Sequence, residues 1–143
     1  MKILVLNGPN LNMLGIREPS LYGSRSYADL VGFIENAARD AGVEVEVFQS
    51  NHEGAIVDRI QAARGVFDGL VVNAAAYTHT SVAILDALKA VGIPAVEVHL
   101  TEPEAREPFR RVSYVKMAAL ATFAGFGFDS YARAIRCLSE RLK

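Results

Sequence analysis

His99 follows Glu97 by two residues in the run Val96-Glu97-Val98-His99. On a β-strand that spacing puts both side chains on one face. A carboxylate placed there can hold one ring N–H, fix the tautomer and raise the imidazole's basicity, the equipment of a general acid. Tyr22 follows Arg17 by five residues in Arg17-Glu18-Pro19-Ser20-Leu21-Tyr22. A guanidinium beside a phenol, whose ordinary pKa is near 10, favours the phenolate and makes it a candidate base. Taken alone, such a loop pair reads as ordinary solvent contacts. Asn10, Asn73 and His79 are uncharged or switchable hydrogen-bonders suited to a polyhydroxylated ligand, although asparagines in turns also serve as simple Asx-turn formers. Thr101 and the cluster Arg106, Arg110 and Arg111 could seat a carboxylate; Arg106 and Arg111 read as solvated face. Asp86, in the helical run Leu85-Asp86-Ala87, reads as solvent-facing or as a subunit contact. Glu53 opens a helix, where a carboxylate suits the dipole, and His52 reads as structural.

These residues need elements to carry them, and the chain alternates short β-rich runs with helical patterns. Strands are expected at 2–6, at 43–49 (strictly alternating, as near a sheet edge), at 69–73 and at 94–100. A fifth, Ala-rich one is expected at 117–124. Ser26 with Asp29 resembles a capping pair, followed by apolar residues at helical spacing to a stop at Gly42. Further helices are expected at 54–64, 80–91 and about 129–142. The alternation predicts one α/β domain over 1–143, a flavodoxin-like doubly wound sheet of five parallel strands with helices on both faces. In such sheets ligands bind outside the carboxyl ends of the strands. The chemistry-bearing residues collect there, including all three histidines. The segments 8–25 and 101–116 are too long for plain turns, and long loops in compact domains are usually functional.

Composition limits the alternatives. With 143 residues, 51% hydrophobic and 22% charged, the chain suits one packed domain, and 15 basic against 16 acidic residues argue against nucleic acid or anionic membrane as partner. The high apolar fraction hints at burial between subunits. The single cysteine, Cys137, excludes an internal disulfide and reads as a small buried hydrophobe. No signal-peptide core and no membrane-spanning run is seen, so a soluble, cytoplasmic protein is expected. There is no dinucleotide Gly-rich fingerprint, no phosphate loop, no receiver-type acidic pair and no recognisable zinc or magnesium set. The site is therefore expected to work without metal or cofactor, by proton transfer. A non-catalytic binding module on the same fold, such as a flavin carrier or a receiver, is the reading from another class.

The sequence resembles the type II 3-dehydroquinate dehydratases. The resemblance runs through Asn7-Gly8-Pro9-Asn10-Leu11-Asn12, Leu14-Gly15-Ile16-Arg17-Glu18-Pro19 with Tyr22-Gly23, Gln49-Ser50-Asn51-His52-Glu53-Gly54, Tyr77-Thr78-His79-Thr80-Ser81, Glu97-Val98-His99 and Ala105-Arg106-Glu107-Pro108-Phe109-Arg110. It implies a flavodoxin-like fold and reversible dehydration of 3-dehydroquinate to 3-dehydroshikimate, in the shikimate or quinate pathway, without metal or Schiff base. It also implies a homododecamer built from trimers. By resemblance Tyr22 is the base, kept ionised by Arg17. His99 is the acid, oriented by Glu97, and Asn10 helps to stabilise the enolate through a water. Asn73, His79, Leu100, Thr101 and Arg110 match substrate-binding positions, with Asp86 reaching a neighbouring subunit's site. Two stretches depart from the family's usual pattern, Asn73-Ala74-Ala75-Ala76 in place of Asn-Pro-Gly-Ala and Thr101-Glu102 in place of Ser-Asn. Ala75 calls for an unstrained backbone where the family often has glycine, and a diverged, inactive member is the alternative that these departures suggest.

Overall fold

The computed structural model describes residues 1–16, 20 and 24–143. Five strands, β1 (Lys2–Asn7), β2 (Glu44–Gln49), β3 (Gly69–Asn73), β4 (Ala95–His99) and β5 (Thr122–Ala124), form one parallel sheet in the order β2-β1-β3-β4-β5. Among the described residues four α-helices cover it: α1 (Tyr27–Ala41), α2 (Glu53–Ala62), α3 (Val82–Val91) and α4 (Asp129–Arg141). This is the doubly wound arrangement expected from the alternating pattern.

The period-two alternation of the strands decides what each face meets. Ile3, Val5, Val71, Val96 and Val98 pack in one cluster with Leu30 and Ile34 of α1 and with Tyr131, Ile135 and Leu138 of α4. Leu4, Leu6, Leu70, Val72 and Ala95 turn the other way, onto Ile56 and Ile60 of α2 and Ile84 and Leu88 of α3. Both faces are apolar on β1 and β3, as fully covered parallel strands require, whereas on β4 Val96 and Val98 face one core and the face that starts at Ala95 carries Glu97 and His99. β2, with alternate residues exposed or half-buried, is the edge strand that its alternation predicted.

Helix ends follow local chemistry. Ser26 Oγ accepts the Asp29 N–H while the Asp29 carboxylate accepts the Ser26 N–H, a complete capping box, and Gly42 closes α1 in the left-handed region at φ 71°. Ser81 Oγ caps α3 by accepting the Ile84 N–H at 3.0 Å.

Three expectations are corrected. The run 117–124 is not a strand throughout; residues Val115–Ala118 form a 3₁₀ turn and only Thr122–Ala124 joins the sheet. Ser113 Oγ accepts the Lys116 N–H at 3.1 Å and starts that turn, and Val115 is pinned into the core. Ala75 is not unstrained. Its φ is 52°, in the left-handed region that costs a Cβ-bearing residue about 1–2 kcal/mol. Cys137 is only half-buried against the core rather than enclosed in it.

Candidate active site

Chain order reverses between β1 and β3, and a crevice opens where the strands on either side of that point end. Its walls come from three strand ends. Pro9, Asn10 and Leu11 follow β1; Asn73, Ala75, Ala76 and His79 lie at and after β3; His99, Leu100 and Thr101 lie at and after β4. The segment after β4 folds back over the opening and adds Pro103, Arg106 and Arg110.

Hydrogen bonds stitch these strand ends together. Gly8 N–H donates to the Asn73 carbonyl at 2.8 Å, and a Cβ on Gly8 would lie 2.3 Å from the Ala74 carbonyl oxygen, so only glycine permits that approach. Gln49 Nε2 donates to the Gly8 carbonyl at 3.0 Å, and Asn51 Oδ1 accepts the Asn10 N–H at 3.0 Å. Asn10 itself sits at φ 69°, a conformation asparagine tolerates. Beneath the crevice a buried network runs through two strands and a helix. Tyr131 donates to Asn7 Oδ1 at 2.7 Å and accepts from Asn73 Nδ2 at 2.8 Å. Burial pushes the Tyr131 phenol far above its ordinary range, so it is a structural hydroxyl. Asn73 Oδ1 in turn accepts the Ala75 N–H at 3.2 Å, which ties the strained turn to the sheet.

The polar centre is the pair on β4. His99 Nε2–H donates to Glu97 Oε2 at 2.9 Å. His99 is 8% exposed and Glu97 1%. Glu97 also accepts from Ser113 Oγ at Oε2 and from Thr122 Oγ1 at Oε1, the latter at 2.8 Å. Burial pushes the Glu97 carboxyl up, but the His99 bond and charge and the two hydroxyls outweigh it and hold the pKa below the ordinary 4.5. Glu97 is therefore an anion at neutral pH, and with Nε2–H committed to it, His99 has Nδ1 left to exchange a proton. Across the crevice, His79 Nδ1–H donates to the Val112 carbonyl at 2.7 Å. Burial lowers its pKa below 6.5, the Val112 bond opposes this, and the charges of His99 and Arg110 lower it further. His79 is thus a neutral hydrogen-bonding wall.

Of the candidates, Asn10, Asn73, His79, His99, Leu100, Thr101 and Arg110 are brought together around one crevice, with Glu97 directly behind His99. Arg17 and Tyr22 lie outside the described residues. Asp86 is on the exposed face of α3 and does not line the crevice. Arg111 is exposed, as expected, but Arg106 is not on the solvated face. Its side chain is 17% exposed, lines the crevice and lies 3.9 Å from Glu107. The 3₁₀ turn Pro103–Ala105, capped by Glu102, reverses the chain and points the next residue inward. The signal that could have found it is its place in the same Arg-rich loop as Arg110. Among the described residues no group of three or more His, Cys, Asp or Glu side chains could hold a metal ion, and no helix is long and apolar enough to cross a membrane.

A doubly wound α/β domain with a carboxylate-backed histidine and two arginines at the sheet's switch point is the frame of a small-molecule enzyme for polar, anionic substrates. The chain belongs to the class II dehydroquinase family, whose model matches residues 1–139. It is 53% identical to a 3-dehydroquinate dehydratase of Geotalea daltonii over 143 residues, covering 100% of this chain and 99% of that one. It is also 53% identical to a catabolic 3-dehydroquinase of Verticillium alfalfae, covering 99% and 95%. The crystal structure of a type II dehydroquinase from Butyrivibrio crossotus superimposes with a TM-score of 0.94 at 48% identity, covering 96% of this chain and 97% of that one.

Proposed function

We propose that the protein is a hydro-lyase that reversibly eliminates water from 3-dehydroquinate to give 3-dehydroshikimate through an enolate. The observation that carries this reading is the His99–Glu97 pair, buried on one side and open to the crevice on the other. A proton α to a ketone is weakly acidic and hydroxide is a poor leaving group, so the reaction needs a base, an enolate stabiliser and an acid acting together. The Tyr22 phenolate, held ionised by the Arg17 guanidinium, takes the α-proton. The electron pair moves onto the ketone oxygen, and Asn10 supports that charge through a water. The pair then returns to form the C=C bond as the C–O bond breaks, and His99 gives its Nδ1 proton to the departing oxygen, which leaves as water. Glu97 keeps the imidazole oriented throughout. Asn73, His79, Leu100, Thr101 and Arg110 hold the hydroxyls and carboxylate of the ring, and Arg106 faces the same space.

The product is a conjugated enone and absorbs where the substrate does not. The test is the rise of that absorbance when 3-dehydroquinate is added to the purified, assembled protein, and a flat trace refutes the reading. The assembly we propose is a homododecamer of trimers in which Asp86 approaches a neighbouring subunit's crevice.

A further inference from the structure

A carboxylate as enclosed as Glu97 is costly unless donors surround it. Three donors from three parts of the chain do so: His99 on β4, Ser113 before the Val115–Ala118 turn, and Thr122 on β5. Neither hydroxyl is free to turn away. Ser113 Oγ already accepts the Lys116 N–H, which leaves its proton for Glu97. Thr122 is the register partner of Glu97 across the β4–β5 ladder, so the sheet itself sets its reach. Both line a cavity that adjoins the crevice behind His99, and neither lines the crevice itself.

We propose that Ser113 and Thr122 are positioning residues for the dehydration: by sharing the Glu97 carboxylate with His99, they set how tightly it grips the imidazole and how readily His99 releases its proton. The proposal rests on the reading of His99 as the acid. A carboxylate that accepts two hydroxyl protons offers less charge to its third donor. Without them Glu97 holds the imidazolium harder, and His99 becomes a weaker acid. The other charged or titratable groups around His99 are His79, Arg106 and Arg110 on the crevice side, and Glu102, Glu104, Arg111 and Lys116 around the cavity behind. Thr122→Val and Ser113→Ala leave all of them in place.

The test is an NMR titration of the three histidines in the wild type and in Thr122→Val, Thr122→Ser and Ser113→Ala, each checked for a native circular dichroism spectrum. The His99 midpoint should rise by about half a pH unit or more in Thr122→Val and Ser113→Ala. It should return to the wild-type value in Thr122→Ser, with His52 unmoved throughout. In turnover of 3-dehydroquinate, the alkaline limb of the kcat profile should move up with the His99 midpoint, kcat should fall several-fold, and KM should hold. If Ser113→Ala fails to fold, the isosteric Thr122→Val carries the test. An unmoved His99 midpoint in the folded variants overturns the proposal, as does a loss of kcat that Thr122→Ser does not restore. The titration needs no substrate, so a shifted midpoint in a protein without dehydratase activity supports the charge-sharing and refutes the proposed reaction instead.

Discussion

In the reaction we propose, His99 works between two demands: it carries a proton when the substrate is bound and releases it as the C–O bond breaks. Its hydrogen bond to a buried anion serves the first demand, and the open side of the ring serves the second. Replacing His99 with Ala, or Tyr22 with Phe, removes one proton-transfer partner, and kcat should fall about 10²–10⁴-fold in each with the circular dichroism spectrum unchanged. Near-normal turnover in either variant would strip that residue of its role. Glu97 also leaves a mark on stability. Its folded pKa lies below 4.5, so an unfolded chain binds its proton first, and the stabilisation is present above about pH 4.5 and lost as pH falls through the folded value. Urea titrations at pH 7 and pH 4 should show a smaller acid loss in Glu97→Gln than in the wild type. The pairing of Glu97 with His99 was legible in the sequence because a strand has period two and both residues sit within one. The inward turn of Arg106 was not, because a loop side chain's direction depends on how the backbone reverses, and the 3₁₀ turn at Pro103–Ala105 decides that.

At the scale of elements, the strand ends carry the site and the turns behind them hold it in shape. Strands β1 and β3 were legible because their apolar runs stop at Asn7-Gly8-Pro9 and at Asn73, where the chain leaves the sheet. The last one was poorly legible: 117–124 is Ala-rich and apolar but for Thr122, so no period distinguishes turn from strand, and the Ser113–Lys116 hydrogen bond and the ladder to β4 settle the matter. The turn after β3 contains the clearest local conflict. Ala75 at φ 52° is held there by the Asn73 side chain, which accepts its N–H, and Asn73 is in turn held by Tyr131. Ala75→Gly removes the left-handed penalty and gives back part of it through the freer unfolded chain, so a net gain of about 0.5–1 kcal/mol is expected. It should appear as a higher urea midpoint with an unchanged slope. An unchanged or lower midpoint would mean that the turn relaxes without a glycine. Ser81→Ala, by contrast, orphans the Ile84 N–H at the start of α3 and should cost about 1 kcal/mol by the same measurement.

The molecule as a whole leaves apolar side chains in water that its two cores do not use. Val82 at the start of α3, Phe109 and Val112 in the loop that roofs the crevice, and Met117 and Leu120 just beyond it are all 47–64% exposed. Scattered singly, such residues mean little. Here the Tyr114 N–H bonds the Thr78 carbonyl and the 3₁₀ turn Val115–Ala118 packs on α3, which brings the segment that carries Met117 to the helix that carries Val82. Asp86 lies one helical turn from Val82, so the two share an exposed face of α3. A neighbouring copy that covers this face would bury the apolar residues and take Asp86 towards its own crevice, which a lone chain leaves without it. Light scattering should therefore give a mass near twelve times the 15.5 kDa chain for the wild type. Phe109→Glu and Met117→Glu place a charge in the contact and should shift the mass to small species, with activity lost in parallel. Asp86→Ala should keep the full mass while raising KM or lowering kcat, because it removes a group from the neighbour's site without touching the apolar contact. A wild type that scatters as a single chain while turning over 3-dehydroquinate would mean that the crevice is complete within one subunit and that the exposed apolar face serves something other than self-association.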